Sequence, residues 1–218
     1  MPNEERSNYL SSPLNGLELR AVQWLDGFYS LEHLLCTRAW VIRLLPSASE
    51  ELKFAALTHD AERHFPGGPS STPNRGFDDP DYLFAHSSRS ADVVEAWFLQ
   101  QREQSSGEFL AKVRKFILRH EIGGNSDEDL LQAADSLSFL ETFDWLVVDW
   151  VRKGHYTMAG AMEKLDWSVE RIRSPTAQRL ALPLYRNIVE ALKSSSPPET
   201  DMQERRSRAS SLKLLLHK

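Results

Sequence analysis

The spacing of apolar residues constrains the fold of this chain more than any other feature. Apolar side chains recur every three or four residues, as in Leu25, Phe28, Leu31 and Leu35, and this spacing places them on one face of a helix. The same spacing continues through most of the 218 residues. No stretch shows the sustained alternation of apolar and polar residues that is typical of half-buried strands. The sequence therefore predicts an all-α fold.

Prolines, glycines and capping residues divide this pattern into separate helices. Pro46 ends a first helix, and Ser49 precedes the two acidic residues that open the second. Gly123 and Gly124 separate two later helices. The predicted helices run from about residue 17 to 45, 48 to 63, 80 to 103, 107 to 121, 126 to 152, 161 to 173 and 176 to 193, with Pro183 as a kink or late start in the last one.

Two segments interrupt the helical pattern. Residues 65–80 contain four prolines and three glycines, which predict a long loop because neither a helix nor a central strand tolerates this composition. From residue 194 the chain becomes rich in Ser and Pro, with five Lys or Arg against three acidic residues. This change predicts one helical domain over residues 1–193 and a flexible basic tail over 194–218.

Composition and charge exclude several classes of protein. The single cysteine, Cys36, excludes an internal disulfide and a cysteine-based zinc finger, and it fits a reducing compartment. No apolar stretch approaches the roughly 18 residues of a membrane span, and the N-terminus lacks a signal-peptide pattern. The net charge of −5 gives no general attraction to a phosphate backbone. We expect a cytoplasmic protein that binds neither membrane nor nucleic acid, and the oligomeric state stays open.

Four histidines and two aspartates lie in or beside the predicted helices. They are His33, His59 with the adjacent Asp60, His86, His120 and Asp135. Imidazole and carboxylate groups suit zinc, iron, manganese, cobalt or nickel, and several helices can each contribute one or two ligands to an internal site. Asp135 lies in a mostly apolar stretch, where an unpaired carboxylate is costly to bury, so it needs a metal ion or a nearby arginine as its partner. Each residue alone has an ordinary structural explanation; the combination predicts a metal site.

The order His, His-Asp, His, His, Asp resembles that of the HD-domain superfamily of metal-dependent phosphohydrolases, an all-helical fold. The resemblance covers residues 31–140, and the blocks that carry it are SLEHLLCTRAWVIRLL, FAALTHDAERHF, FAHSSRSADVVEAWF, VRKFILRHEIGG and LLQAADSLSFLE. The HDAER motif followed by a Pro/Gly-rich loop is also similar to an uncharacterised bacterial HD-like family, which implies a fold but no substrate. By resemblance, the chain holds one or two divalent transition-metal ions, Mn, Fe, Ni, Co or Zn. The implied ligands are His33, His59, Asp60 and Asp135 for one ion and His86 and His120 for a second, with Asp60 as the bridge.

The resemblance implies hydrolysis of a small phosphate ester or nucleotide by hydroxide that the metal makes available. The candidate catalytic residues are Asp60, Arg63 and Glu121, and the candidate substrate-binding residues are Arg63, Arg75 and Arg89. Arg63 stands where hydrolases of the family commonly carry lysine, so the positive charge is kept on a planar group. Glu121 follows a predicted ligand and can act as a proton shuttle or as the partner of a histidine. The loop 65–80 follows the His-Asp pair directly and can cover the site.

Two other functions stay open. The same six ligands resemble those of HD-type oxygenases, including inositol oxygenase and the phosphonate-cleaving enzymes, in which two irons activate dioxygen. Ligand type does not separate iron from manganese or nickel at such a site. The third alternative is a regulatory module with a non-catalytic metal ion. Arg171, Arg173 and Arg179 form either an anion-binding patch or, as we prefer, a solvated helix face.

Overall fold

The computed structural model describes residues 12–69, 76–101 and 107–194, and these residues form nine α-helices, one short 3₁₀ helix and no strand. The helices are α1 (Gly16–Trp24), α2 (Leu31–Leu44), α3 (Glu50–Thr58), α4 (Pro80–Gln100), α5 (Gly107–Arg119), α6 (Ser126–Thr142), α7 (Asp144–Arg152), α8 (Met158–Glu170) and α9 (Pro175–Lys193), with the 3₁₀ helix at Ala61–His64. The all-α prediction is confirmed for this part of the chain. The predicted tail lies outside the described residues from position 195 onward. None of the helices described is long and apolar enough to cross a membrane.

The first predicted helix, residues 17–45, is two helices. Between α1 and α2 the chain turns at Gly27, whose φ of 82° is a conformation that glycine adopts readily. Leu25 and Phe28, on either side of this glycine, are both buried in the core. The prediction of one continuous helix was wrong because the apolar spacing continues through the turn.

The second predicted helix, residues 48–63, ends earlier than expected. The Ser49 side chain accepts a hydrogen bond from the backbone N–H of Leu52, which confirms it as the N-cap of α3. α3 ends at Thr58, and the 3₁₀ helix starts three residues later. His59 and Asp60 therefore lie in the turn between the two helices.

Three boundaries differ in the C-terminal half. The predicted helix over residues 126–152 is interrupted at Phe143, which has φ −108° and ψ 12° and separates α6 from α7. The predicted helix over 161–173 occupies Met158–Glu170. Pro183 lies inside α9, which begins before it, so the helix does not start late.

Helices α2, α3, α5 and α6 surround the centre of the described domain. α2 packs chiefly against α6 and α3, while α5 packs against α3 and α4. The helices α7, α8 and α9 form a second layer that packs on α6 and on one another. Fully buried leucines such as Leu34, Leu57 and Leu137 fill the centre, each stabilising the fold by about 1.5–3 kcal/mol. This packing brings α2, α4, α6 and the ends of α3 and α5 to one buried point.

Candidate metal centre

The six predicted ligands meet in the interior, although they come from five segments of the chain. His33 lies in α2, His59 and Asp60 in the turn after α3, His86 in α4, His120 directly after α5, and Asp135 in α6. The four imidazoles are at most 2% exposed and the two aspartates at most 8%. Polar groups buried this deeply need partners because their desolvation is otherwise uncompensated.

Two of the histidines are held by backbone carbonyls. Nδ1 of His59 donates a hydrogen bond to the carbonyl oxygen of Ala56 at 3.0 Å. Nδ1 of His120 does the same with Ile117 at 2.6 Å. A carbonyl oxygen can only accept, so each ring carries a proton on Nδ1 and turns Nε2 away from that carbonyl.

Side chains hold the other two histidines, also through Nδ1. The hydroxyl of Ser138 donates to the carbonyl oxygen of His33 at 2.8 Å, and it therefore accepts a hydrogen bond from Nδ1 of His33, also at 2.8 Å. Nδ1 of His86 donates to Oε1 of Glu62 at 2.8 Å. All four histidines thus turn Nε2 towards the centre, which is how metal-binding histidines are commonly oriented.

The Nε2 atoms gather around one oxygen of each aspartate. Oδ1 of Asp135 lies 3.1 Å from Nε2 of His33 and 3.3 Å from Nε2 of His59. Oδ1 of Asp60 lies 2.8 Å from Nε2 of His86. It also lies 3.9 Å from Nε2 of His59 and 3.9 Å from that of His120. Two carboxylates and four imidazoles therefore share one buried volume.

Three overlapping groups of donor atoms can hold a metal ion. They are His33, His59 and Asp135; His59, Asp60 and His120; and His86, His120 and Glu121, and the donor atoms in each group lie within 4.8 Å of one another. The two histidines that belong to more than one group, His59 and His120, have a buried Nε2 with no hydrogen-bond partner among the described residues. A divalent ion bound there would satisfy these nitrogens. The donor set therefore fits one or two such ions.

Arg63 stands beside Asp60. Its Nε lies 2.9 Å from Oδ2 of Asp60, and its Nη1 donates to the hydroxyl of Tyr82 at 3.0 Å. Burial disfavours the charged form of Asp60, but Arg63 and the nearby His86 and His59 hold its pKa well below the usual range. Asp60 is thus a carboxylate with Oδ2 paired to an arginine and Oδ1 facing the histidines.

The two carboxylates also change the protonation of His59. Burial opposes the charged imidazolium, yet Asp60 and Asp135 together raise the pKa of His59 to about 9. A metal ion and a proton therefore compete for this ring near neutral pH.

Arg171, at the end of α8, holds the other side of the centre. Its guanidinium donates to Oδ2 of Asp135 at 2.5 Å, to Oε2 of Glu121 and to the hydroxyl of Ser136 at 2.7 Å. Burial disfavours ionisation of Asp135, but Arg171 together with the hydrogen bonds from His33 and His59 lowers the pKa of this carboxyl. Asp135 therefore has the arginine partner that the sequence suggested, at Oδ2, while its Oδ1 faces histidines. The preferred interpretation of Arg171 as a solvated residue was wrong; Arg173 and Arg179 lie on the exposed face.

Glu121 joins the centre from the turn after α5. Its Oε1 lies 3.6 Å from Nε2 of His120 and 3.9 Å from Nε2 of His86. Arg171 lowers the pKa of this glutamate, despite burial, so Glu121 is ionised. The position gives Glu121 the geometry of a further metal ligand, in addition to the two roles predicted from sequence.

A cavity of about 330 Å³ adjoins the ligands. Three kinds of side chain line it. The polar residues are His33, Asp60, Glu121 and Asp135, the cations are Arg63, Lys164 and Arg171, and the rings are those of Tyr29, Phe77, Tyr82, Phe139, Phe143, Trp150, Tyr156 and Trp167.

Lys164, Trp167 and Arg171 lie three and four residues apart along α8 and its C-terminal end, so they share one face of that helix. Sequence reasoning missed Lys164, although this spacing was visible. The volume suits a small organic molecule.

Of the two remaining predicted substrate-binding arginines, the structure describes Arg89. Arg75 lies outside the described residues. Arg89 places Nε 3.3 Å from Oε2 of Glu62 and donates from Nη2 to the carbonyl oxygen of Pro66 at 2.7 Å. Since Glu62 holds His86, the observed contacts of Arg89 fix both that glutamate and the start of the predicted loop. Its role in substrate binding stays a prediction.

Comparison of the chain with protein-family models, with curated proteins and with solved structures found no match. The described residues form a helical domain with a buried His/Asp cluster that can bind metal. Its assignment to a family therefore depends on the residues themselves.

Proposed function

We propose that this protein is a metal-dependent phosphohydrolase of the HD type, which cleaves a small phosphate ester. One observation carries the proposal: four buried histidines, each anchored through Nδ1, turn Nε2 towards Asp60 and Asp135 at the end of a cavity that contains three cations. A ligand cluster alone is compatible with several reactions. The cations favour an anionic substrate. A phosphate ester is a substrate class that uses both the candidate metal ligands and the cations of the cavity.

The protein's own residues have distinct tasks in this proposal. A divalent ion, if held by these residues, would make hydroxide available near neutral pH and would neutralise charge on the phosphate. Asp60 lies between the two halves of the candidate ligand set and, by resemblance, would be a ligand common to both. Arg63 and Arg171 hold the ligand carboxylates in place through Oδ2 of Asp60 and Oδ2 of Asp135. Glu121 either completes the ligand set or accepts a proton beside His120.

The cavity adds a reason for a small substrate. Much of its remaining wall consists of aromatic rings, which lower the local dielectric constant and strengthen the electrostatic contacts there. The volume of about 330 Å³ admits a small phosphate ester. A polymeric substrate would have to leave most of its length outside.

The test combines metal content with phosphate release. The protein is purified without added metal or chelator, its metal is measured by elemental analysis, and phosphate release is followed from a panel of phosphate monoesters with Mn²⁺, Ni²⁺, Co²⁺ or Zn²⁺. We expect one or two ions per chain and metal-dependent release that a chelator abolishes. Two irons per chain with oxygen consumption and no phosphate release would replace the proposal by the oxygenase alternative. Bound metal without turnover of either kind would favour the regulatory module.

A further inference from the structure

Three cations line the cavity, and two of them are already paired. Arg63 and Arg171 are held by the carboxylates of the candidate metal centre. Lys164 lines the same cavity, but its ammonium group has no carboxylate and no hydrogen-bond acceptor within the described ranges. Within the part of the chain that the structure describes, Lys164 is therefore the cation of this cavity that is available to a ligand.

Aromatic rings surround this ammonium group. Nζ of Lys164 lies 4.8 Å from the centroid of the Phe77 ring, 5.2 Å from that of Phe139 and 5.8 Å from that of Trp167. Ring faces attract a cation by about 0.5–2 kcal/mol, but they do not replace the three hydrogen bonds that an ammonium group makes in water. The N–H groups of Lys164 thus face the cavity without a protein acceptor among the described residues.

The protonation of Lys164 is consistent with such a site. Burial lowers the pKa of Lys164 to about 8, while two carboxylates of the centre raise it and two guanidinium groups lower it. An anion beside the ammonium group would favour its charged form and supply the missing acceptors.

We propose that Lys164 binds an anionic oxygen of the substrate and that the rings around it receive a flat organic group attached to the same anion. The identity of the anion as a phosphate rests on the proposed function. The substrate is then an organic phosphate with a flat apolar group, held between the metal ligands and the α8 face of the cavity. Arg63 and Arg171 position the ligands, and Lys164 contacts the substrate.

Calorimetric titration with two phosphonates tests this inference. Phenylphosphonate and methylphosphonate share an anionic group that phosphate hydrolysis does not remove, and they differ in the flat ring. We expect phenylphosphonate to bind more tightly than methylphosphonate to the metal-loaded protein.

Lys164→Met keeps the length of the side chain and removes its charge. This variant should weaken phenylphosphonate binding about tenfold or more, as expected for the loss of a charge-assisted hydrogen bond. Lys164→Arg should retain most of the affinity.

The matched control is Lys112→Met on the exposed face of α5, where Lys112 pairs with Glu108 at 2.9 Å. This variant removes the same charge and should bind phenylphosphonate like the wild type. Unchanged affinity in Lys164→Met would overturn the role of Lys164. Equal affinities for the two phosphonates would overturn the flat organic group.

A second measurement uses the wild-type protein and does not depend on the folding of a variant. Reductive methylation of lysines is followed by peptide mass spectrometry with and without phenylphosphonate. We expect the ligand to protect Lys164 and to leave the methylation of Lys112 unchanged. Equal methylation of Lys164 in both samples contradicts the proposal.

The failure of this inference and the failure of the proposed function give different results. Phosphonate binding that depends on Lys164, without hydrolysis of any phosphate ester, overturns the hydrolase and leaves the binding role intact. Metal-dependent hydrolysis with an unchanged KM in Lys164→Met overturns the binding role and leaves the hydrolase intact.

Discussion

Two of the clusters of charged side chains that are buried in the described residues differ in how completely their polar atoms are paired. In the first, Arg38 of α2 pairs with Glu18 of α1 through Nε at 2.5 Å and Nη2 at 2.9 Å, and it also donates to the carbonyl oxygens of Ser12 and Pro13. In the second, the candidate metal centre, two histidine Nε2 atoms have no hydrogen-bond partner in the described part of the chain.

This difference in pairing distinguishes a structural ion pair from a candidate binding site. A buried arginine that satisfies both carboxylate oxygens and two carbonyls joins α1 to α2 and leaves nothing for a ligand to complete. The candidate metal centre has comparable burial, yet its two arginines occupy the outer carboxylate oxygens, and Nε2 of His120 lies no closer than 3.6 Å to a carboxylate oxygen of the described residues. Incomplete pairing at a buried point therefore indicates function better than burial or charge does.

The largest expected effect concerns Asp60. Asp60→Asn removes the charge between the two halves of the ligand set, and we expect metal content to fall and phosphate release to drop to background. Elemental analysis and a phosphate-release assay measure both. The matched control is Asp92→Asn, an exposed aspartate of α4 paired with Arg114, which should change neither. An Asp60→Asn protein with full metal content and activity would remove the basis for the site.

The second prediction concerns the saturated cluster. Arg38→Ala leaves Glu18 buried and unpaired, which should lower the free energy of unfolding by about 3–5 kcal/mol. Chemical denaturation measures this loss, and Arg114→Ala on the surface should cost at most about 1 kcal/mol. The number of metal ions per chain should stay the same in refolded Arg38→Ala. A fall in metal content without a loss of stability would show that the two clusters are not independent.

The third prediction concerns the proton that replaces a metal ion on His59. In the metal-free protein, Asp60 and Asp135 raise the pKa of His59 against the effect of burial, from an ordinary value of 6.5 to about 9. This group therefore stabilises the fold fully below about pH 6.5, and the contribution, on the order of 3 kcal/mol, is lost as the pH rises through about 9. Denaturation of chelator-treated protein at several pH values measures it. His59→Gln should have a flatter profile over this range, and identical profiles would contradict the assignment.

The members of the buried His/Asp cluster were predictable from sequence because their chemistry is carried by residue type and order. Histidines and aspartates in predominantly apolar helices are uncommon enough to be noticed one by one, and the structure brings the predicted set together. The residues that hold them were not predictable in this way. Arg171 and Glu62 look like ordinary surface charges in the sequence, because their partners come from other helices and only the packing shows which face is buried.

The same limit explains the errors in the fold. Helical spacing identified the fold class and most helices, since each buried face repeats every three or four residues. It did not show the break at Gly27, because Leu25 and Phe28 continue the apolar pattern across a turn. A glycine inside a helical pattern was the available signal.

The fourth prediction concerns a residue that orients a ligand. Ser138→Ala removes the acceptor of the Nδ1 proton of His33, and loss of such an orienting hydrogen bond should weaken metal binding about 10–100-fold. Competition with a chelating dye measures the affinity. Ser168→Ala is the control because that buried hydroxyl bonds only to the carbonyl oxygen of Lys164. Equal affinities in the two variants would mean that His33 needs no orientation or is not a ligand.

The last prediction compares Arg171 with Arg173, two residues later, and it contains the smallest expected change in the free energy of unfolding. Arg173 pairs with Asp129 and donates to the carbonyl oxygen of Ile122, but half of its side chain is exposed, so Arg173→Ala should change the free energy of unfolding by about 0–1 kcal/mol. Arg171→Ala leaves Asp135 and Glu121 buried without their cation and should cost about 3–5 kcal/mol in metal-free protein. Added metal should restore part of that loss in Arg171→Ala, because an ion neutralises the same two carboxylates, and should shift Arg173→Ala no more than the wild type. Denaturation with and without Mn²⁺ measures the difference. Equal shifts in both variants would mean that the two arginines do not divide between the metal centre and the surface.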